Sequence, residues 1–408
     1  MKTKIFTNIS LLAGTEHSNH FIRGKNLAQL PVIENAFLII ENDEIAEYGE
    51  MKDYKGEKND VPEGTIILPT WCDSHSHIVF AGSREEEFRD KIMGLSYAEI
   101  AAKGGGILNS ASKLNQTSED ELFNQSWKRL TEVSRMGTGA IEIKSGYGLT
   151  VEGELKMLRV IKRLREKSNI KIKATFLAAH TYPSEYKDNH QGYIDLIINE
   201  MLPLIDQEKL ADYIDVFCEK GFFSVEEMKT ICEAGKKYGL TPKIHVNQLN
   251  SIGGIEEGIK MNALSMDHLE TLTENDIKLL GDYKGAATLL PSAAFFLNME
   301  MQPARKLIDA GAAVTLASDY NPGSSPSGNM NFVLALSCIQ MKMLPEEAIN
   351  AATINGACAM DIQDEYGSIS KGKKANLIFT KPVPSLSFLP YAFGSNLIDK
   401  VMIHGSYI

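Results

Sequence analysis

The segment Trp71-Cys72-Asp73-Ser74-His75-Ser76-His77 closes the apolar run Thr65-Ile66-Ile67-Leu68. A run of apolar and β-branched residues of this length predicts a buried β-strand. Since side chains at positions i and i+2 of a strand point to the same face, His75 and His77 present two imidazoles side by side. Imidazole is a common ligand of zinc, iron, copper and nickel. The pair therefore indicates either a metal site at a strand end or two ordinary core or surface histidines.

Composition narrows the class of protein. The chain has 408 residues, 43% of them hydrophobic, which suits one large or two ordinary globular domains. A formal net charge of −11 argues against nucleic acid or an anionic membrane as the main partner. No apolar run reaches the roughly 18 residues of a membrane span, and the first residues lack the apolar segment of a signal peptide. Five scattered cysteines without a Cys-x-x-Cys pair predict reduced thiols in a cytoplasmic protein.

The order of apolar runs predicts the architecture. Residues 1–65 hold short apolar stretches between polar turns, without helical periodicity, and predict a small β unit. From residue 65 onward, eight strand-like runs alternate with long helical patterns, which predicts a (β/α)8 TIM-like barrel of the α/β class. The runs are Thr65–His77, Ala140–Lys144, Ile172–His180, Tyr213–Glu219, Pro242–Gln248, Ala263–His268, Ala286–Pro291 and Ala313–Asp319.

Histidines and carboxylates gather at the ends of these runs. Five of the nine histidines lie at the C-terminal ends of predicted strands. In a barrel this is the face on which active sites are built. Ordinary core histidines have no reason to gather at one face of the barrel, so the position of these five favours a metal site. The polar strand ends are His75 and His77, His180, Cys218-Glu219, His245 to Gln248, Asp267-His268 and Asp319.

Part of this set has the chemistry of a catalytic metal centre. Two histidines of strand one, His245 of strand five and Asp319 of strand eight supply three nitrogens and one carboxylate. A metal held in this way keeps a position for water and lowers its pKa to about 7. Asp319 can also accept a proton from that water, and His268 is near enough to polarise a substrate carbonyl. The sequence therefore predicts metal-assisted hydrolysis of a C–N bond.

The order His-x-His, His, His and Ser-Asp resembles the amidohydrolase superfamily. The closing segments are also similar, namely Leu344 to Ala348, Ala352 to Ala357, Gly367 to Ile369 and Gly372 to Leu377. The resemblance implies a small β-sandwich domain built from both chain ends. The implied division is 1–65 for its N-terminal part, 66–365 for the barrel and 366–408 for its C-terminal part.

Seven further segments resemble one family within it, the imidazolonepropionases of histidine degradation. The resemblance implies hydrolysis of 4-imidazolone-5-propanoate to N-formimidoyl-L-glutamate, and a homodimer. It implies one divalent or trivalent metal ion per chain, zinc or iron, on His75, His77, His245 and Asp319, with His268 as a catalytic histidine. The implied substrate contacts are Arg84, Tyr97, Tyr147, His180, Gln248, Asn321, Gly323 and Ser324. The segments are Val79 to Arg84, Tyr97 to Ile100, Gly104 to Ile107, Lys144 to Leu149, Asp215 to Glu219, Asp267 to Glu270 and Ser318 to Ser324.

Several residues admit a simpler interpretation. The Gly104-Gly105-Gly106 run could suggest a phosphate-binding loop, but it lacks the Lys-Ser/Thr that such a loop carries, which argues against nucleotide binding. Lys144 could be imagined as a carbamylated bridge between two metals, but its place on strand two favours an ion-paired lysine and a single metal. Glu219 is either a group that supports the site or a solvated strand end. Arg84 is either a substrate ligand or a surface arginine beside Glu85 to Glu87.

Two rival functions remain. The first is a deaminase acting on a heterocycle, and Gln248 argues against it. Related deaminases carry a glutamate there, and an amide cannot shuttle protons. The second is a non-enzymatic scaffold that kept the fold, and the complete ligand set argues against it.

Overall fold

The computed structural model describes residues 3–15, 19–95, 99 and 105–408. The predicted substrate contact Tyr97 and the glycine Gly104 lie outside these residues. Two sheets organise the described chain, one of eight strands and one of seven. The strands are β1 Thr3–Ala13, β2 Val32–Glu41, β3 Glu44–Glu50, β4 Ile66–Pro69, β5 Trp71–Asp73, β6 Thr138–Lys144, β7 Lys171–Ala179, β8 Tyr213–Cys218, β9 Thr241–Val246, β10 Ser265–His268, β11 Ala286–Leu289, β12 Ala313–Leu316, β13 Leu377–Thr380, β14 Ile398–Ile403 and β15 Ser406–Tyr407.

Helices connect the strands of the larger sheet. The described α-helices are α1 Glu85–Ile92, α2 Ile107–Gln116, α3 Glu119–Arg135, α4 Val151–Lys167, α5 His190–Leu196, α6 Leu202–Glu208, α7 Val225–Lys236, α8 Gly254–Lys260, α9 Glu274–Asp282, α10 Pro291–Leu297, α11 Ala304–Ala310, α12 Met330–Met341, α13 Pro345–Ala352, α14 Ile354–Cys358 and α15 Phe388–Tyr391. A π-helical turn, Ile197–Met201, joins α5 to α6, and short 3-10 helices cover Gly24–Ala28, Met51–Asp53 and Ser184–Tyr186. Within the described ranges, no helix combines the length and the apolar character needed to cross a lipid bilayer.

The larger sheet is the predicted barrel. Strands β5 to β12 lie side by side in chain order, and all of their pairs are parallel. The two edge strands meet just beyond their ends, where the Asp319 N–H donates to the His75 carbonyl and the His77 N–H to the Tyr320 carbonyl, both at 2.9 Å. These bonds close the ring at its C-terminal rim. The (β/α)8 fold class is therefore confirmed.

The run Thr65–His77, predicted as one strand, is two strands in different sheets. Residues 66–69 form β4, which pairs with β1 and β13, and residues 71–73 form β5, which pairs with β6. The chain changes sheets at Thr70, after Pro69, a residue that has no N–H to continue a ladder. The Thr70 N–H donates to Asn376 and the next N–H, of Trp71, donates to Gly137. His75 and His77 therefore follow β5 rather than lying within the strand.

The smaller sheet joins both chain ends, as predicted. Its order is β15-β14-β13-β4-β1-β2-β3, so the C-terminal strands flank β4 on one side and the N-terminal strands on the other. Its apolar side chains enclose a core of their own, which includes Phe6, Ile40, Leu377 and Phe379. The residue boundaries given for the domains stay a prediction.

Helix α4 illustrates how capping and an apolar face place a helix against the barrel. Thr150 caps the N-terminus of helix α4. Its side chain accepts the Gly153 N–H, a bond that satisfies one free helix donor. Leu155, Leu158 and Leu164 are buried against the barrel, while the charged residues of the helix are mainly on its other face. This packing leaves the strand ends and the loops after them to form one face.

Candidate metal centre and active site

Four side chains converge at the C-terminal rim of the barrel. His75 and His77 follow β5, His245 lies in β9, and Asp319 follows β12. The Nε2 atoms of His75 and His77 are 3.3 Å apart, and Asp319 Oδ1 lies 3.5 Å from each. One ligand atom from each of the three buried histidines lies within 4.8 Å of the others. The structure thus brings together all four residues predicted to bind the metal, and their role as ligands stays a prediction.

Two carboxylates fix the orientation of two of these rings. His75 Nδ1 lies 2.7 Å from Asp267 Oδ2, and His245 Nδ1 lies 2.8 Å from Asp215 Oδ2. Because a carboxylate oxygen accepts, each ring carries its proton on Nδ1 and keeps a lone pair on Nε2. This is how proteins orient metal-binding histidines.

The chemistry of the donor set fits a divalent metal ion. Burial lowers the pKa of His75, His77 and His245 well below the usual histidine value, and neighbouring positive groups add to the effect. Neutral imidazoles are the form that binds metals. His245 Nε2 is buried without a hydrogen-bond partner in the described part of the chain. An unpaired buried nitrogen is costly, and a cation at this point would satisfy it.

Asp319 is held in an unusual environment. Burial raises its pKa to about 6, against the opposing effect of His268. The Ser324 hydroxyl lies 3.3 Å from Asp319 Oδ2. The backbone φ angle is 52° at Asp319, 55° at Asn247 and 88° at His268, all in the left-handed half of conformational space. Such strained non-glycine residues often cluster at active sites, and here they end three barrel strands.

His268 has its own supporting pair. Its Nδ1 lies 3.4 Å from Glu270 Oε1, and the Gln302 amide donates to the same oxygen at 2.9 Å. Burial disfavours the imidazolium, but the Glu270 carboxylate outweighs this and raises the pKa of His268 above its usual value. The His268 ring centroid is 5.2 Å from that of His245. His268 therefore lies beside the metal ligands, with Glu270 favouring its protonated form.

Two predicted substrate contacts lie against the ligand His77. The His180 ring stacks on it with centroids 5.5 Å apart, and the Tyr147 ring is 6.0 Å away. Tyr147 and His180 also contact each other, with centroids 5.6 Å apart. Both follow barrel strands, so the loops after β6 and β7 supply one wall of the site.

Arg84, in the segment after β5, reaches the loop after β12. It precedes α1, and its Nε donates to Glu87 Oε2 at 2.9 Å. A Cβ built on Gly323 would lie 2.3 Å from Arg84 Nη1, so the guanidinium packs directly against this glycine. The Arg84 side chain is only 13% exposed, which contradicts the alternative of a solvated surface arginine.

The remaining predicted contacts lie in loops at the same rim. Asn321 organises the loop after β12, because its Oδ1 accepts the Gly323 and Ser324 N–H groups, both at 2.8 Å. Gln248 follows β9 and is half-buried. The substrate contacts stay a prediction.

Residues inside the strands support the site, a role that the sequence pattern did not indicate for Asp215 and Asp267. Asp215 and Asp267 hold the ligand rings, and Lys144 pairs with both. Lys144 is thus an ion-paired lysine, as expected. A charged residue within a buried apolar strand is a signal that could have found Asp215. Glu219 is 1% exposed and accepts the Leu249 and Asn250 N–H groups, so the alternative of a solvated strand end is wrong.

Comparison with known proteins agrees with the fold and shows the family. The Amidohydrolase family model matches residues 66–408. An imidazolonepropionase of Flavobacterium johnsoniae is 60% identical over 95% of both chains, and one of Flavobacterium psychrophilum is 58% identical over 100% of both. The guanine deaminase structure from C. acetobutylicum superposes with a TM-score of 0.72 over 100% of both chains at 17% identity, which shows the shared fold alone. The chain therefore belongs to the amidohydrolase family and, within it, to the imidazolonepropionases.

Proposed function

We propose that the protein hydrolyses 4-imidazolone-5-propanoate to N-formimidoyl-L-glutamate. The observation that carries the proposal is the convergence of three buried, neutral imidazoles and Asp319 at the rim of the barrel. The identity to imidazolonepropionases over nearly the whole chain supports the choice of substrate.

His75, His77, His245 and Asp319 would hold one metal ion, zinc or iron, since three nitrogens and one carboxylate suit both. When bound, such an ion activates water and polarises a carbonyl oxygen. The Nδ1 bonds to Asp267 and Asp215 keep His75 and His245 in the tautomer that this role needs.

During ring opening, one residue transfers a proton and another stabilises the developing negative charge. Asp319 takes the proton of the attacking water and passes it to the ring nitrogen as the C–N bond breaks, and the carbonyl carbon becomes the new carboxylate. A carboxylate placed beside the attacking water is a suitable group to accept and return this proton. His268, kept protonated by Glu270, donates to the oxyanion that develops on the carbonyl oxygen.

The substrate lies between two walls in this proposal. Arg84, packed against Gly323, offers a guanidinium that can hold the propionate with two parallel hydrogen bonds. Tyr147 and His180, in the loops after β6 and β7, form a second wall that encloses the ring, and Tyr97 is proposed as a further contact. Gln248, Asn321 and Ser324 supply polar groups along the rim.

We also propose a homodimer in the cytoplasm. Ile339, Leu344, Tyr391 and Phe393 are exposed apolar side chains on or next to helices α12 and α15, which pack together, and exposed apolar groups often mark interfaces. All five cysteines are free thiols, which suits a reducing compartment. Light scattering of the purified protein measures the mass directly, and a monomer at micromolar concentration would contradict the dimer.

One experiment tests the reaction. Metal analysis of the purified protein is combined with the loss of absorbance of imidazolonepropionate, and the product is identified by mass spectrometry. We expect about one metal per chain and a rate that disappears with a chelator and returns with added zinc or iron. Release of ammonia from amino-heterocycles, without turnover of imidazolonepropionate, would instead establish a deaminase.

A further inference from the structure

A cluster of five charged side chains lies inside the barrel beneath the metal centre. It consists of Glu142, Lys144, Asp215, Lys243 and Asp267, and we call it the lysine–carboxylate cluster. All five are at most 1% exposed. The proposed reaction leaves the lysines without a role. Buried charges are costly unless they are paired, so their presence in the core needs a reason.

The two lysines of the cluster have different partners. Both pair with Glu142, Lys144 through Oε1 at 2.7 Å and Lys243 through Oε2. Beyond that, Lys243 donates to the backbone carbonyls of Ser74 and Ala359, both at 3.1 Å. Lys144 instead reaches Asp215 Oδ2 at 2.8 Å and Asp267 Oδ2 at 3.4 Å.

The oxygens that Lys144 contacts are the ones that hold the ligand rings. Asp215 Oδ2 accepts the proton of His245 Nδ1, and Asp267 Oδ2 accepts that of His75 Nδ1. The Lys144 ammonium group thus links the two aspartates that hold His75 and His245, two ligands that are far apart in the sequence. Without a cation between them, the two carboxylates would repel each other. Asp215 keeps the bond from the His245 N–H to its Oδ1, so the repulsion would act mainly on the Oδ2 atoms that hold the two rings.

From this geometry we propose that Lys144 is a positioning residue that sets the angle between His75 and His245 at the metal. The inference rests on the metal site of the proposed function and deepens it. Groups one step removed from a metal commonly change its affinity by about 10- to 100-fold when they are altered. Asp215 and Asp267 are the groups in that position, and because Lys144 contacts both of them, its removal should produce a loss of at least about tenfold.

The test compares Lys144→Met with Lys243→Met, two removals of a buried lysine that pairs with Glu142. Each protein is freed of metal with a chelator, shown to be folded by circular dichroism, and titrated with cobalt(II). The visible absorption of bound cobalt reports the arrangement of its ligands, independently of any turnover. We expect the Kd of Lys144→Met to rise at least tenfold with shifted absorption bands. Lys243→Met should stay within threefold with an unchanged spectrum.

A second pair of variants tests the proposal if Lys144→Met does not fold. Lys144→Arg and Lys243→Arg keep the charge, but a planar guanidinium cannot occupy the point where one ammonium meets three carboxylates. Lys144→Arg should shift the cobalt bands and Lys243→Arg should not. Wild-type affinity and spectrum in a folded Lys144 variant, or equal changes in both lysines, would overturn the proposal. Absence of cobalt binding by the wild type would instead refute the metal site itself.

Discussion

The contact between Arg84 and Gly323 gives a sharp test of the substrate site. Gly323→Ala adds one methyl group, and the glycine φ angle lies outside the left-handed range, so the backbone accepts alanine without strain. The new Cβ would stand 2.3 Å from Arg84 Nη1. Ordinary contacts begin near 3.4 Å, so the guanidinium must move by about 1 Å.

The magnitude follows from the role assigned to Arg84. Losing one partner of a buried charge pair costs roughly 2–5 kcal/mol, so Arg84→Met should lower kcat/KM by about 30- to several thousand-fold. Displacing a substrate-holding group by about 1 Å can cost on the order of 10²-fold. Gly323→Ala should therefore lower kcat/KM about 10- to 100-fold, mainly through KM, while metal content stays at the wild-type level.

A double variant decides whether the methyl group acts through Arg84. If it does, Gly323→Ala should have little further effect in the Arg84→Met background, since effects on one contact are not additive. Gly394→Ala is the matched control, because its Cβ would meet nothing within 4 Å, and its kcat/KM should equal that of the wild type. A kcat/KM for Gly323→Ala within threefold of wild type, or full additivity with Arg84→Met, would refute the assignment.

Three further predictions follow from the site. His75→Ala or His245→Ala should lose most of the bound metal, as measured by mass spectrometry, because each removes a direct ligand. Full retention of the metal would show that the substituted histidine is not a ligand. His268→Ala should keep the metal but lose roughly 10²–10³ in kcat, the scale of one oxyanion donor, and parallel metal loss would make His268 a ligand. Protonated His268 is the active form, so kcat/KM should fall as pH rises through its pKa. Because Glu270 raises that pKa, Glu270→Gln should move this alkaline limb to lower pH, and an unmoved limb in the pH–rate profile would contradict the pairing.

The barrel and the site face could be predicted from sequence because they depend on local patterns. Eight apolar runs with helical segments between them leave few alternatives to a parallel barrel, and strand ends of such a barrel share one face. His75, His77, His245 and Asp319 follow from that rule, and the structure brings them together.

The division of Thr65–His77 into two strands could not be predicted in the same way. Both halves are apolar and extended, and every residue from 66 to 73 is buried, so the period of the sequence is the same on each side of Thr70. What separates them is the choice of partner, β13 for β4 and β6 for β5, and those partners lie far away in the chain. Only the missing N–H of Pro69 hints locally at a break.

The roles of the supporting glutamates are also difficult to predict from the sequence. Buried Glu154 lies in the first turn of α4, and its carboxylate accepts the N–H groups of Gly146, Gly148 and Leu149 and so fixes the loop that carries Tyr147. Glu219 at the end of β8 does the same for residues 249 and 250, just after Gln248. In sequence, each is one more glutamate near a helix start or a strand end, the commonest place for a solvated one. Their partners are backbone amides, which leave no mark in the pattern of residue types, so only the fold reveals that rigid barrel elements hold these two loops in place.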